Sequence, residues 1–413
     1  MKKFALLLAS IALALLASGC TSQGDPAEPP LNFKAVAGDA SAIVTWDAQP
    51  GVEYWVFWGP GENITTSNWV QSGGRVIVKA TSPQVITGLV NGRTYSVTIN
   101  GRTNGGPGGP GAPTQVVVPT LAGTNWAIGT PLGTGRLAGV AAGLGASGYA
   151  NVTVGEGGAI YASVANGPVT ARTNPAAPAD LNAVFYGGLG FVSVGANGTI
   201  VVSGDGTTWN TRTSGVTNAL NGGSSIGTTG GYFAVGSGGT ILTSTDGTTW
   251  TPSPSGTTSD LFGATFGNAR LVVVGSGGTI LSSADGATWT AASSGTSADL
   301  KGVAYASIST TNADNSVTFT NAFVAVGAGG TVLFSSDGTT WTPQSAFTSL
   351  DLSAVVYGGQ FVAVGKAGGI FTSLDGVTWQ VRNSGTPNDL AAVARTLSGY
   401  SAVGAAGTNI TSF

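Results

Sequence analysis

Two sets of aspartates recur along the chain, and carboxylates at regular positions are candidates for acid–base chemistry or for cation binding. No histidine accompanies them, because the sequence contains none. A Ser-His-Asp triad and a histidine-type zinc site are therefore excluded. The single cysteine also excludes an intramolecular disulfide. The two sets are Asp205, Asp246, Asp285, Asp337 and Asp375, and Asp180, Asp260, Asp299, Asp351 and Asp389.

The first set lies in a heptapeptide that occurs five times. It reads Ser-x-Asp-Gly-x-Thr-Trp, as in Ser203–Trp209 and Ser244–Trp250. A carboxylate in this position can accept backbone N–H groups in a tight turn, the glycine permits positive φ, and the tryptophan packs between sheets. Because five identical turns do not converge on one point, we interpret these aspartates as structural. A catalytic or calcium-binding array is the weaker reading of them.

The second set stands immediately before the leucine that opens the innermost strand of a repeat. Arg136 and Ala219 occupy the equivalent places in two further repeats. These positions would surround one mouth of a central channel, on the same face as Glu156 and Lys366, and would attract a cation or a basic partner. Alternatively, each aspartate caps its own loop against backbone N–H groups. The candidate binding rim is thus Arg136, Asp180, Asp260, Asp299, Asp351 and Asp389.

A second motif marks every repeat and predicts the architecture. It is Val-Gly-x-x-Gly or a close variant, and its first glycine falls at positions 155, 195, 236, 275, 327, 365 and 404. Seven copies about 40 residues apart, each with four strand-like segments, predict a seven-bladed β-propeller over residues 124–413. The motif is not a phosphate loop, because we expect no helix after it and no Lys-Ser/Thr pair completes it. An insertion, Ser307–Asn321, lengthens one hairpin.

The two ends of this array predict ring closure. The last repeat ends without its fourth strand, whereas Thr124–Thr130 has the form of a tryptophan-bearing fourth strand without its first three. Joining them would remove the exposed sheet edges. We therefore expect Trp126 to pair beside Thr408–Phe413, and a closed ring without edge strands favours a monomer.

The N-terminus predicts export and lipidation. Lys2 and Lys3 precede an apolar run, Phe4–Leu16, that is too short to span a membrane as a helix. The run ends in Leu-Ala-Ser-Gly-Cys20, which resembles a bacterial lipobox and implies a lipid anchor such as palmitate on Cys20. Residues 1–19 would be a signal peptide and residues 20–30 a tether. By the same resemblance, Thr21 favours the outer membrane and leaves the periplasmic or surface face open.

Residues 31–119 predict a small β-sandwich that resembles a fibronectin type III domain. The resemblance is carried by Trp46, Tyr54, Leu89 and Tyr95, of which Tyr95 has the position of a tyrosine corner. In that corner the tyrosine hydroxyl bonds to the backbone of the preceding turn. The segment Gly105–Gly111 would be the last hairpin loop, or else a flexible hinge.

The heptapeptide resembles the Asp-box, or BNR repeat, of sialidases, which implies a propeller. The arginine triad of those enzymes is missing: no Arg-Ile-Pro motif precedes the repeats, and only Arg136 lies at the entry to an inner strand. The repeats are also similar to those of the photosystem II assembly factor family, although the N-terminal sandwich departs from it and argues against a photosynthetic role. The other propeller arginines are predicted on outer strands or on the opposite rim: Arg172, Arg212, Arg270, Arg382 and Arg395.

Composition narrows the function further. The net charge is -3 and no basic run follows the N-terminus. The sequence therefore lacks the positively charged patch that a nucleic-acid-binding protein carries. We expect a non-enzymatic envelope lipoprotein without cofactor or metal, which binds a protein or glycan ligand and is anchored to the membrane through Cys20. The alternatives are a degenerate sialidase-like protein that binds or hydrolyses glycans, and a periplasmic assembly factor for a membrane complex.

Overall fold

The structure is a computed structural model that describes residues 24–165, 167–227, 231–311 and 316–412. The predicted signal peptide and Cys20 lie outside the described residues. The chain divides into two compact units between Leu121 and Ala122. The described residues form 36 β-strands and seven three-residue 3-10 helices. Within this part of the chain, no helix has the length and apolarity that crossing a membrane requires.

The first unit consists of two antiparallel sheets. One has the strand order β1-β7-β4-β5, with β8 paired to the same edge of β7 as β1, and the other has the order β2-β3-β6. Trp46, Tyr54 and Tyr95 lie with residues of both sheets in one buried cluster. The strands are β1 (Pro26–Ala27), β2 (Leu31–Gly38), β3 (Ser41–Asp47), β4 (Val52–Pro60), β5 (Arg75–Ala80), β6 (Gln84–Thr87), β7 (Tyr95–Thr103) and β8 (Gln115–Val117).

Two details of the first unit bear on the sequence-based expectations. The Val90 N–H donates to the Tyr95 hydroxyl at 3.1 Å, so this tyrosine does bond to the backbone of the preceding turn. The tether expected over residues 20–30 needs correction, because Pro26 and Ala27 pair with Arg102 and Gly101 of β7. The sheet therefore begins before residue 31. The sequence did not reveal this strand, because backbone pairing requires no side-chain pattern.

The second unit contains the remaining strands. They are β9 (Trp126–Ile128), β10 (Leu137–Gly145), β11 (Gly148–Gly155), β12 (Ile160–Val164), β13 (Thr170–Ala171), β14 (Leu181–Gly187), β15 (Gly190–Gly195), β16 (Ile200–Ser203), β17 (Asn210–Arg212), β18 (Leu220–Ser225), β19 (Tyr232–Gly236), β20 (Ile241–Ser244), β21 (Thr251–Pro252), β22 (Leu261–Gly267), β23 (Arg270–Gly275), β24 (Ile280–Ser283), β25 (Thr290–Ala292), β26 (Leu300–Thr311), β27 (Val317–Gly327), β28 (Val332–Ser335), β29 (Thr342–Pro343), β30 (Leu352–Tyr357), β31 (Phe361–Gly365), β32 (Ile370–Ser373), β33 (Gln380–Arg382), β34 (Leu390–Arg395), β35 (Tyr400–Gly404) and β36 (Asn409–Ser412).

The strands of the second unit form seven four-stranded sheets in its described residues, which is a propeller-like arrangement. Six sheets take four consecutive strands, from β10–β13 to β30–β33, and the seventh has the order β34-β35-β36-β9. The first strand of each sheet contacts the first strand of the next, and β10 contacts β34. Each first strand opens on a buried leucine and continues through a β-bulge, as between Leu181 and Ala183. The innermost strands therefore surround a central axis.

The chain termini of the second unit meet as the sequence predicts. Trp126 pairs with Ser412, and Ile128 pairs with Ile410, across β9 and β36. The Trp126 indole donates to the Gly123 carbonyl at 2.9 Å, and its ring lies 6.4 Å from the ring of Tyr400. Phe413, the last residue of the predicted partner segment, lies outside the described residues.

The glycine-rich motif forms the connection between the second and third strands of each sheet. As expected, a strand and not a helix follows the motif, and the last three residues of the motif form a single turn of 3-10 helix. Its middle residue has a left-handed backbone, with φ of 65° at Gly157 and 55° at Asn197, which glycine and asparagine adopt most readily. The seven turns are Glu156–Gly158, Ala196–Gly198, Ser237–Gly239, Ser276–Gly278, Ala328–Gly330, Lys366–Gly368 and Ala405–Gly407.

Candidate functional site

The five heptapeptides lie between the third and fourth strands, where each aspartate is bound within its own turn. In one of them, Asp285 Oδ1 accepts the N–H groups of Thr288 at 2.8 Å and Ala287 at 2.9 Å. The Ser283 hydroxyl donates to the same oxygen and accepts the Gly286 N–H at 2.9 Å. The N–H groups of Thr288 and Ala287 lower the pKa of Asp285 to about 2, because they stabilise its charged form. These contacts leave the carboxylate as a turn acceptor.

The tryptophan of the heptapeptide packs between neighbouring sheets. Trp209 lies in a cluster with Val152 and Ile160 of the preceding sheet. Its indole donates to the Gly206 carbonyl of its own turn at 3.3 Å. Trp209, Trp250 and Trp341 are buried, whereas Trp289 and Trp379 are half-buried. The turn therefore fixes an aromatic side chain at each of these inter-sheet contacts.

The aspartates of the candidate rim, here called the rim aspartates, link adjacent sheets. Asp180 Oδ1 accepts the N–H of Gly157, which lies in the 3-10 turn of the preceding sheet, at 2.7 Å. The capping alternative placed this bond in the aspartate's own loop, but the bond crosses to the neighbouring sheet because the loop passes beside that turn. The other four bonds join Gly238 to Asp260, Gly277 to Asp299, Gly329 to Asp351 and Ala367 to Asp389, at 2.8–3.0 Å.

Two rim aspartates also hold a lysine. Lys301 Nζ lies 3.0 Å from Asp299 Oδ2 and 3.6 Å from the centroid of the Phe262 ring. Lys366 Nζ lies 2.8 Å from Asp389 Oδ2. The Gly277 N–H and then Lys301 lower the pKa of Asp299, and Lys366 contributes most to the lowered pKa of Asp389. Both carboxyls are therefore ionised at neutral pH and unsuited to act as general acids.

Arg136 occupies a sixth position of the rim, and its geometry differs from that of the aspartates. The backbone N–H of Arg136 donates to Glu156 Oε2 at 3.1 Å, and Arg136 is exposed. At the remaining position, Ala219 has no polar side chain that could accept an N–H of the neighbouring turn. The rim thus combines five aspartates with one arginine, and two of the aspartates are paired with lysines.

Inside the rim, the first strands line a cavity of about 560 Å³. Glycine in the wall lets neighbouring first strands approach closely, which narrows the cavity. At Gly222, for example, a Cβ would lie 2.2 Å from the Phe262 carbonyl oxygen. The residue after each leading leucine also lines the cavity, and several of these are polar or aromatic. They are Ala138, Asn182, Asn221, Phe262, Lys301, Ser353 and Ala391. This position lies outside the motifs that predicted the candidate rim, although an alignment of the repeats on the leading leucine marks it.

Two of these polar side chains connect neighbouring strands. The Asn182 amide donates to the Leu220 carbonyl, and the Asn221 amide donates to the Leu261 carbonyl, each at 3.0 Å. Their oxygen atoms make no hydrogen bond that we find among the described residues. The cavity and its mouth therefore combine hydrogen-bond acceptors, cations and one aromatic ring, which is a surface suited to binding. The described residues contain no cluster of three or more metal-ligating side chains.

The arginines of the second unit do not converge on the cavity mouth, apart from Arg136. Arg212 and Arg382 lie at the ends of the outer strands β17 and β33. Arg382 donates to the Thr372 hydroxyl at 2.9 Å. Arg395 lies 5.1 Å from the centroid of the Tyr400 ring and donates to the Gly399 carbonyl. No arginine triad of the sialidase kind is assembled from these described residues.

Solved structures that are similar to this chain include YCF48 and a streptogramin B lyase. YCF48 bound to D1 peptide has 17% identity and a TM-score of 0.54, over 71% of this chain and 98% of that one. YCF48 from Cyanidioschyzon merolae has 15% identity and a TM-score of 0.52, over 70% and 98%. A streptogramin B lyase has 13% identity and a TM-score of 0.57, over 71% and 100%. At these identities the likeness establishes the fold alone.

Sequence comparison identifies the family. No curated protein matches the chain. The family described as the DUF6242 beta propeller domain matches residues 164–404, which is more than half of the sequence. The matched region covers most of the second unit. It contains all five rim aspartates, and for four of them it also contains the 3-10 turn to which they are bound. The chain therefore belongs to the DUF6242 beta propeller domain family.

Proposed function

We propose that this protein is a non-enzymatic binding scaffold of the bacterial envelope. In this proposal a fibronectin type III-like domain precedes a seven-bladed propeller, and lipidated Cys20 anchors the chain to the outer membrane. The mouth of the propeller cavity holds a positively charged segment of a partner protein. Metabolic labelling with palmitate, compared between the wild type and Cys20→Ser, tests the anchor.

The charge around the cavity mouth is the observation that carries the proposal. Among the described residues there, six carboxylates face three cations: the five rim aspartates and Glu156 against Arg136, Lys301 and Lys366. Asp180, Asp260 and Asp351 each use Oδ1 for a turn N–H and have no lysine partner. An excess of partly exposed carboxylates at a concave mouth raises the local concentration of cationic ligands.

The rim geometry also favours binding over hydrolysis. Each rim aspartate occupies its own gap between two sheets and is bound to its own turn, whereas a glycosidase needs two facing carboxylates. The sialidase-like alternative therefore has less support. One of the similar propellers, YCF48, has been solved with a peptide bound to it. This favours a protein segment over a glycan as the ligand, and it keeps the assembly-factor role open as the use of that binding.

Asparagine substitutions separate the charge of the rim from its structural role. Asparagine keeps an oxygen that accepts the turn N–H but removes the negative charge. The variant Asp180→Asn, Asp260→Asn, Asp351→Asn should therefore fold with an unchanged Tm. It should bind a synthetic peptide of alternating lysine and serine about tenfold more weakly at low salt, measured by fluorescence anisotropy.

A matched control removes the same charge from the first unit. Asp25, Glu28 and Glu62 are exposed, and the variant Asp25→Asn, Glu28→Gln, Glu62→Gln should bind the peptide as the wild type does. The peptide in which glutamate replaces lysine should not bind. Equal affinity of the rim variant and the control variant would show that the mouth is not the binding site. Turnover on a glycan panel that is lost in the rim variant would support the hydrolase alternative instead.

A further inference from the structure

The insertion forms a two-stranded ribbon that extends beyond the fifth sheet. The pairing of β26 with β27 continues from Ser307 opposite Asn321 to Thr311 opposite Val317. The equivalent hairpin of the fourth sheet ends where Gly267 pairs with Arg270. Because strands alternate in direction, the ribbon leaves the ring at the end opposite to the 3-10 turns and the cavity mouth. It is therefore distinct from the site proposed above.

The outer edge of β27 is unpaired along this ribbon. β28 pairs with β27 only from Phe323 to Val326, so no described strand lies beside residues 317–321 on that side. The Gly327 N–H donates to the Thr331 carbonyl, which directs the backbone groups of Gly327 toward β28. In an antiparallel sheet alternate residues bond to the same side. The backbone N–H and C=O groups of Val317 and Phe319 therefore point to the open edge.

The side chains along this edge are unusually exposed for their type. Phe319 is 70% exposed and Val317 is 50% exposed, whereas Phe323 on the same strand is fully buried. Val317 and Phe319 are two residues apart, so both lie on one face of the ribbon. No charged residue or proline occurs among the described ribbon residues, 307–311 and 317–321. Natural edge strands are usually protected from pairing by such residues or by bulges.

We infer that this edge of β27, from Val317 to Asn321, binds an extended segment of a partner protein as an added β-strand. The partner's backbone would satisfy the open N–H and C=O groups, and its apolar side chains would cover Val317 and Phe319. A second copy of this chain fits less well. Five residues of strand span only about 17 Å, and a stable dimer interface buries on the order of 1,000 Å² or more.

A peptide of defined backbone tests strand addition directly. The probe is a fluorescein-labelled nonapeptide of alternating threonine and valine with a glutamate at each end, which the carboxylate rim does not attract. Full-length wild-type protein should bind it, as measured by anisotropy. Amide hydrogen exchange in the segment that contains Val317 and Phe319 should slow when the peptide is added.

Three ribbon variants separate backbone pairing from side-chain contact. Val317→Pro with Phe319→Pro removes the two outward N–H groups and should weaken binding by about tenfold or more. Val317→Thr with Phe319→Thr keeps these groups and should lose less affinity. Thr318→Ala with Thr320→Ala changes the opposite face of the ribbon and should bind as the wild type does. If the proline variant fails to fold, two results decide the question. Slower hydrogen exchange at the edge and retained binding by the threonine variant would support strand addition, and unchanged exchange would contradict it.

The rim variant Asp180→Asn, Asp260→Asn, Asp351→Asn should retain nonapeptide binding, which makes the two sites independent. Absence of binding by the wild type at millimolar peptide would overturn the inference. So would equal binding by a folded proline variant, or unchanged hydrogen exchange at the edge. A wild-type dimer in sedimentation that Phe319→Thr abolishes would also overturn it, because the edge would then pair with its own copy.

Discussion

The junction of β9 with β36 closes the ring without a covalent bond, and a disulfide placed there tests it. Ala127 and Thr411 pair across these strands, and both are exposed. The Gly129 N–H donates to the Asn409 carbonyl at 2.8 Å. By alternation, Ala127 and Thr411 also form a hydrogen-bonded pair, whose Cα atoms lie about 5.5 Å apart. A disulfide spans that distance.

The size of the effect follows from the loop that the disulfide closes. Ala127→Cys with Thr411→Cys closes about 285 residues, for which loop entropy gives about 5.6 kcal/mol at 25 °C. Thr243 and Thr251 have the same positions in the third sheet, and a disulfide there closes about nine residues, for about 2.6 kcal/mol. The difference of about 3 kcal/mol corresponds to about 5 °C in Tm for a unit of about 290 residues.

Thermal unfolding with and without reductant measures both variants, each with Cys20→Ser so that no third thiol interferes. Oxidation should raise the Tm of the ring-closing variant by about 5 °C more than that of the local control. The reasoning is refuted if the ring-closing cysteines form no intramolecular disulfide. It is also refuted if oxidation stabilises that variant no more than it stabilises the control.

Two further predictions concern the turns and the cavity wall. The folded-state pKa of Asp285 is about 2 and lies below its unfolded value. The stabilisation by its carboxylate is therefore complete above about pH 4 and is lost as the pH falls toward 2. Urea unfolding should show a lower free energy of unfolding at about pH 2 than at about pH 4, and Asp285→Asn should reduce this difference, whereas equal stability of the wild type at both pH values would contradict the prediction. Gly222→Ala should cost about 1–3 kcal/mol because its Cβ would lie 2.2 Å from the Phe262 carbonyl oxygen. Gly204→Ala, with no atom within 4 Å of its Cβ, should change stability by less than about 0.5 kcal/mol, and equal losses for both glycines would be inconsistent with a tightly packed wall.

The strands of the second unit could be predicted because their turns are defined by nearby residues. The Ser283–Trp289 turn is held by hydrogen bonds between residues two or three apart. A motif of this kind is visible in sequence wherever it occurs. The pairing of Trp126 with the last strand could also be predicted, since one repeat lacked its fourth strand and one fourth strand lacked its repeat.

The first unit was less predictable. Strand-like runs at residues 42–46, 53–58, 75–79, 94–100 and 114–118 predict β3, β4, β5, β7 and β8, whereas no such run predicts β1, β2 or β6. β2 contains a register shift between Leu31 and Lys34, and its residues are mostly half-buried or exposed. Alternation of apolar and polar residues is therefore weak, and the pairing of such strands depends on their neighbours in the sheet.

By itself the sequence determined the repeating unit, its four strands, the form of its turns and the pairing of its two ends. These features depend on residue types at short, regular spacing, or on a count of strands per repeat. Only the tertiary structure decided which groups meet between repeats. Asp180 is bound to Gly157, 23 residues earlier, because two sheets pack side by side. The open edge beside Phe319 likewise results from β28 ending before β27, which no local pattern in β27 encodes.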